Sequence, residues 1–489
     1  MTKVAVILVC WLQLSLGSAL AAAPENEACV RRLVVCLDGT LNNAERDQFK
    51  VGKFLLYKPT NVLKTFRAVL PTDSNGVDQI SYYSEGVGGS VGDPNLAGRI
   101  GMRLDEAFGG VSGNGFEERV KNAYRFLVAN FRPGDQIFIF GFSRGAAEAQ
   151  SLVRFINWMG GILHKDDEYY IVELYALFRD RRAAPGEAQC RIAAIQRGSK
   201  SEGDDAPAAG AEHCKSPRGE RSGPLPIQCP QKTAIRFLGV YDTVLSLGSR
   251  LVSDFTERDT PTVGPKYAFH VSKVPPSIVE NVRQALAIDE RRWDFRPQIW
   301  LAPSPDAPGQ SLEQLWFPGV HSNIGGGFRN DGLADGALQW MVGEARACGL
   351  AVEDGFLAHY PSFVGGTRKN TDSGALRVYE ILRCKYGRGV RQLDLPASAH
   401  ASLHSSIAEL LLRDPTYRPA NLLGYLARHG EEIDRFPKAL QSDVHRIVEQ
   451  FRSSNPAACR PPRSEPKAPT PSPPQTPPCR RPQVLGCCS

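Results

Sequence analysis

Beyond its first 20 residues this chain has no apolar run long enough to cross a membrane. None of its 12 cysteines stands at C-x-x-C spacing, so a zinc site is not expected, and no other metal or cofactor is called for. No basic run is interleaved with aromatics, which removes nucleic acid from the expected partners. There are no internal repeats. Excess charge is scarce too: 58 Lys and Arg against 52 Asp and Glu leave a net +6. That is mild for 489 residues, and it suits an anionic surface or substrate without requiring one. What is present is an ordinary globular composition, 42% hydrophobic and 22% charged, with length for one large core or two modest domains.

The N-terminus has its own character. Lys3 precedes an uncharged stretch from Val4 to Leu20, and Ala21-Ala22-Ala23 follows. A short positive region, an apolar core and small residues predict a secretory signal peptide over 1–23, cleaved near Ala23. The alternative is an uncleaved membrane anchor, but Gln13, Ser15, Gly17 and Ser18 make the run short and polar for a span. Cys10 lacks the preceding small residue of a lipoprotein cleavage site. The expected location is therefore secreted or periplasmic. Export permits disulfides, and Cys190, Cys214 and Cys229 fall in a loop-like stretch where they could pair, with connectivity left open. Cys36, at the end of an apolar run, is expected as a buried structural thiol.

Apolar runs at 31–37, 77–83, 136–140, 234–240 and 314–320 predict buried strands. Thr60-Asn61 offers a cap for a helix through Val62, Leu63, Phe66 and Leu70. Phe116, Val120, Tyr124, Leu127 and Phe131 share one face of another helix. Helices are also expected over 151–182, 277–287, 333–347, 405–413 and 437–451. The alternation predicts an α/β fold: a mainly parallel sheet with right-handed crossovers and helices on both faces. The catalytic domain is expected over 31–452. Residues 183–231 shift to Ala, Gly, Pro, Ser and charge and predict an inserted mobile surface loop. From 453 to 489 proline dominates, which predicts an extended, disordered tail.

The run Gln136-Ile137-Phe138-Ile139-Phe140 ends in Gly141-Phe142-Ser143-Arg144-Gly145, followed by Ala146-Ala147. G-x-S-x-G alone is weak, since roughly 0.3 chance matches are expected in a chain of this glycine content. Here an apolar strand leads into it and small residues open a helix behind it, the sequence form of a nucleophile elbow. A serine hydroxyl needs a histidine to take its proton and a carboxylate to orient that histidine. Asp242 closes the run Phe237-Leu238-Gly239-Val240, and His321 closes Leu315-Trp316-Phe317-Pro318-Gly319-Val320. The order Ser, acid, His and the strand-end positions are those of an α/β-hydrolase. His270 and His404 are rival histidines, and Asp289 is a rival acid whose neighbours Glu290, Arg291 and Arg292 suggest a salt-bridged helix end. The oxyanion hole is expected from the backbone N–H of Arg144 with that of Gly39 or Thr40, in the loop after the first strand. Leu37-Asp38-Gly39-Thr40 also suggests a phosphatase loop, but that chemistry needs an aspartate where Cys36 stands.

Five motifs occur together and in order: Val35-Cys36-Leu37-Asp38-Gly39-Thr40-Leu41-Asn42, the elbow, Leu238-Gly239-Val240-Tyr241-Asp242-Thr243-Val244, Ala285-Leu286-Ala287-Ile288-Asp289-Glu290-Arg291-Arg292, and Trp316-Phe317-Pro318-Gly319-Val320-His321-Ser322-Asn323-Ile324-Gly325-Gly326-Gly327. The set resembles the α/β-hydrolase family that includes the catalytic domain of type VI secretion phospholipase effectors. The resemblance implies a triad on Ser143, Asp242 and His321 and the hydrolysis of an ester or phospholipid, with peripheral membrane contact. The chain departs from the family in two ways. Asn323 stands where the family usually has aspartate, and effectors injected by a type VI machine do not normally carry a signal peptide. The expected function is thus a lipase-like or phospholipase-like serine ester hydrolase. The alternative is an exported, non-catalytic binding protein on a hydrolase scaffold.

Overall fold

Val34, Val35, Cys36 and Leu37 are all fully buried, as are Ile137 to Phe140. Strands with no polar face can only lie inside a sheet that is covered on both sides. The computed structural model describes residues 30–39, 48–51, 54–57, 59–86, 113–179, 228–244, 272–291, 295–328, 330–365 and 390–455, and shows that sheet. Its strands are β1 (Arg32–Leu37), β4 (Gln79–Ser84), β5 (Gln136–Phe142), β6 (Ile235–Tyr241), β7 (Val279–Ala287), β8 (Ser311–Phe317) and β9 (Ala401–Leu403). Their order is β4-β1-β5-β6-β7-β8-β9, and every pairing is parallel. A separate antiparallel pair, β2 (Gln48–Val51) and β3 (Phe54–Tyr57), precedes α1 (Asn61–Ala68).

The chain leaves β1 toward β4 and leaves β5 toward β6. The crossovers diverge between β1 and β5, so their carboxyl ends form the crevice where such sheets hold ligands. Two cores flank the sheet. On one face, Leu33, Val35 and Leu37 pack with α2 (Gly113–Asn130), α3 (Arg144–Met159) and α4 (Ile171–Arg179). On the other, Val34 and Cys36 pack with α1 and α6 (Gly332–Ala347). Between β8 and α6 lies the short α5 (His321–Gly325), and α7 (Asp354–Leu357) follows α6. A third core joins Leu286, Ile288 and Trp316 to α8 (Ser406–Arg413), α9 (Ala420–Arg428) and α10 (Lys438–Ser454).

One expected element is wrong in kind. Residues 277–287 are not a helix, because β7 occupies 279–287. Arg283, Gln284, Ala285, Leu286 and Ala287 favour a helix locally, but the position between β6 and β8 overrides so weak a preference. The strand also gives its polar residues partners: Arg283 pairs with Glu344 at 2.7 Å, and the Gln284 amide donates to the Gln298 carbonyl at 2.8 Å. Asp289 and Glu290 therefore follow a strand and do not end a helix. The expected helix over 151–182 is α3, a 3-10 turn at Lys165–Tyr170 and α4. Cys36 is buried, and that burial pushes its thiol upward. The expected signal peptide lies outside the described residues, as do all but the ends of the expected insertion and tail.

Candidate active site

Ser143 stands between the last residue of β5 and the first of α3, at φ 57° and ψ −121°. Left-handed backbone at a residue with a Cβ is strained and needs surrounding structure to hold it. That structure is visible. The Ser143 N–H donates to the Tyr241 carbonyl at 3.0 Å, and the Ser143 carbonyl accepts from Val244 N–H at 3.2 Å. The turn is tight because Gly145 lies on the β1 backbone, where a Cβ would fall on the carbonyl oxygens of Leu37 and Asp38.

Asp242 follows the last residue of the neighbouring strand β6, also at positive φ, 39°. Its side chain is fully buried. Oδ2 lies 2.6 Å from His321 Nδ1, and His321 is the first residue of α5, just past β8. Oδ1 accepts the Ala287 N–H at 3.1 Å. Arg391 grips both oxygens, Nη1 to Oδ1 at 3.2 Å and Nη2 to Oδ2 at 3.0 Å. Burial alone would raise the Asp242 carboxyl, but the Arg391 charge and the His321 and Ala287 hydrogen bonds outweigh it and hold it below the usual carboxylate range. An ionised Asp242 requires the proton on Nδ1, which leaves Nε2 of a neutral ring with its lone pair. Nε2 is buried and makes no hydrogen bond.

Two aromatic contacts fix the imidazole, and a third holds the backbone that carries it. The ring of Phe142, next to Ser143, packs on it at 4.8 Å between centroids, and Phe295 meets it edge-on at 4.9 Å. The His321 backbone N–H donates to Glu290 Oε2 at 3.2 Å. Gly325 makes room for Phe142, since a Cβ there would fall into the Phe142 ring. The acid and the histidine thus meet past the carboxyl ends of the strands, although 79 residues separate them, and the serine turn reaches the histidine through the Phe142 ring.

The expected oxyanion donors stand differently. Arg144 opens α3, where the first N–H groups have no acceptor within the helix. Gly39 follows β1 beside the elbow, but its N–H donates to Asp38 Oδ1 at 2.7 Å. Thr40 lies outside the described residues. Asp38 also accepts from the Thr60 and Tyr83 hydroxyls, both at 2.6 Å, and its full burial raises its carboxyl.

The rivals serve elsewhere. His404 stacks on Phe317 at 4.3 Å and contacts Ser406 Oγ at 2.9 Å, and burial holds it down to about 4. Asp289 accepts from Gly319 N–H at 2.7 Å and from the Tyr417 hydroxyl at 3.3 Å. His270 is outside the described residues. Asn323 Oδ1 accepts the Val320 N–H at 3.2 Å and so caps α5, a bond an aspartate could equally take, while its Nδ2 is buried without a partner. Arg391, Phe295 and Glu290 were not among the expected site residues. Glu290 lies in the fourth family motif but was read there only as a neighbour of Asp289, and no motif or spacing marks Arg391 or Phe295, which reach the site only through the fold. Among the described residues no group of three or more His, Cys, Asp or Glu could hold a metal ion.

An all-parallel sheet wrapped by helices, with a strained serine turn at its crevice, defines a protein of the α/β-hydrolase-like class. Residues 31–344 match the family of Tle1-like phospholipase effector catalytic domains of type VI secretion, and the chain belongs to that family. It is also similar to the uncharacterised protein YEL023C of Saccharomyces cerevisiae, 26% identical over 284 residues, which cover 57% of this chain and 34% of that protein. The chain thus corresponds to about a third of that relative's length. Among solved structures, an uncharacterised protein from Pseudomonas aeruginosa aligns with 88% of this chain and 64% of its own, at 15% identity and a TM-score of 0.37. A Tle1 effector bound to the VgrG spike of the type VI secretion system aligns with 62% of this chain and 52% of its own, at 19% identity and a TM-score of 0.29.

Proposed function

We propose that the protein is an exported serine carboxylic-ester hydrolase that acts on lipid esters, phospholipids foremost. The observation that carries this reading is the 2.6 Å contact of His321 Nδ1 with buried Asp242, beside a serine held at φ 57°. Family membership supports the lipid substrate. In this reading Ser143 Oγ attacks the ester carbonyl while His321 Nε2 takes its proton. The tetrahedral intermediate collapses to an acyl-enzyme as the imidazolium returns the proton to the leaving alcohol. Water then repeats the sequence and releases the acid. Asp242 keeps the ring in the required tautomer and stabilises its cation. The Arg144 N–H, with the Gly39–Thr40 loop, receives the developing oxyanion. For Gly39 to contribute, its N–H must leave Asp38 as substrate enters.

The reading is tested with the purified mature protein on phosphatidylcholine and phosphatidylglycerol vesicles and on soluble short-chain esters, with positional analysis of the products. Release of fatty acid from vesicles by the parent, and none by Ser143→Ala, is expected. Turnover confined to short soluble esters contradicts the lipid assignment, and turnover retained by Ser143→Ala contradicts the mechanism.

A further inference from the structure

Arg391 comes from outside the matched catalytic family, which ends at residue 344. Its side chain is only 2% exposed, yet it reaches across 149 residues of sequence to the carboxylate of Asp242. The contact is a fork on a fork: two guanidinium nitrogens, one to each carboxylate oxygen, at 3.2 and 3.0 Å. Such pairing fixes the plane of a carboxylate as well as its charge. Nη2 also donates to the Phe295 carbonyl at 2.7 Å, the backbone of the residue whose ring meets His321. The backbone at Arg391 is held in turn. Asn421, on α9, donates through its side-chain amide to the Arg391 carbonyl at 3.2 Å and to the Ile288 carbonyl, just past β7, at 3.4 Å. Leu393, two residues on, is buried in the core that joins the carboxyl-terminal helices to the sheet.

We propose that Arg391 is a positioning residue for ester hydrolysis, and that the carboxyl-terminal segment 390–455 completes the active site by delivering it. The inference rests on the Ser143–Asp242–His321 reading and extends it. Asp242 can orient His321 only while it is ionised and faces Nδ1. Its burial opposes the charge, and two oxygens on a free torsion do not fix a direction. Arg391, with the Ala287 N–H on Oδ1, settles both. The Asp242–Arg391 pair is neutral overall, so Asp242 offers His321 a directed acceptor more than a net negative field. The site therefore depends on chain beyond the matched family, and removing the guanidinium should slow chemistry without weakening substrate binding.

The test is a set of kinetic constants for the full mature chain carrying Arg391→Gln, Arg391→Lys, Asp242→Asn and the double substitution Arg391→Gln/Asp242→Asn. Arg391→Gln is expected to lower kcat by about 10- to 100-fold, the scale typical of partners that orient a reacting group. KM should stay within about twofold. Arg391→Lys keeps the charge but loses the fork, and is expected to recover part of the loss. In the Asp242→Asn background, Arg391→Gln should cost nothing further, because its route to the chemistry is already gone. An unchanged kcat in Arg391→Gln overturns the inference. So does an equal factor lost with and without Asp242, which would mean that Arg391 acts elsewhere. If Arg391→Gln does not fold, Arg391→Lys carries the test: reduced kcat at unchanged KM supports the inference, and parental kcat overturns it. A parental kcat in Asp242→Asn, by contrast, overturns the triad reading itself, whatever Arg391 does.

Discussion

Ser143 and Asp242 each follow the last residue of adjacent parallel strands, and both hold positive φ, 57° and 39°. Among the described residues only one other non-glycine, His400, does so. The backbones of the two segments are also joined directly: Ser143 donates to the Tyr241 carbonyl, and Val244 donates to Ser143. Strain of this kind persists only where surrounding structure imposes it, and it concentrates at working sites. Two positive-φ turns thus stand side by side past the carboxyl ends of β5 and β6.

Substituting Asp242 by asparagine keeps the shape of the side chain but allows the wrong imidazole tautomer. In serine hydrolases of this logic the loss is about 10⁴-fold in kcat. A comparable loss is expected here in an ester assay, with circular dichroism unchanged. A loss below tenfold would remove Asp242 from the mechanism.

The elbow depends on close backbone approach at Gly145. Gly145→Ala puts a methyl group on the β1 carbonyls, and overpacking of that kind costs roughly 1–3 kcal/mol or more. A lower melting temperature and reduced activity are expected together. Parental values of both would show that β1 and the elbow are not packed as described.

Glu148, on α3, is fully buried and pairs with Arg119 at 2.8 Å, but its other oxygen has no hydrogen-bond partner. Burial, opposed by Arg119, pushes its carboxyl up to about 7. The folded value lies above the unfolded one, so its stabilising contribution is full below about pH 4.5 and is lost as pH rises through about 7. Glu148→Gln is expected to flatten the fall in melting temperature between pH 5 and 8, a change checked by thermal melts across that range. An identical pH slope in the variant would contradict this.

Lys64 is completely buried between Asp335 at 2.7 Å and Asp331 at 2.9 Å, and it ties α1 to the start of α6. Removing one partner of a buried ion cluster leaves charge uncompensated and costs about 3–5 kcal/mol. Lys64→Met should show that loss in urea unfolding. A shift below about 1 kcal/mol would mean that the two aspartates find water or protons at little cost.

The sequence shows the candidate site more fully than its support. Strands buried on both faces read as apolar runs, nearly unbroken in β1 and β5 and confined to the latter part of β6 and β8, so these four are visible, and with them the turns that carry Ser143, Asp242 and His321. β7 is not, because its Arg, Gln, Ala and Leu residues look helical and only its neighbours make it a strand. Arg391 and Phe295 have no local signature either, and Glu290, though inside a motif, shows no role there, since each meets the site through contacts made across the fold. Gly39 shows a finer limit. Its place beside the elbow was legible, but the capture of its N–H by Asp38 depends on a side-chain torsion that sequence does not encode.

The central claim is that Ser143 is an activated nucleophile. Its most direct test is reaction of the native protein with a fluorophosphonate probe, followed by peptide mapping. The account predicts a single stoichiometric label on Ser143, lost in Ser143→Ala and slowed at least a hundredfold in His321→Ala. An unlabelled protein, or a label on another residue that persists in Ser143→Ala, would contradict it.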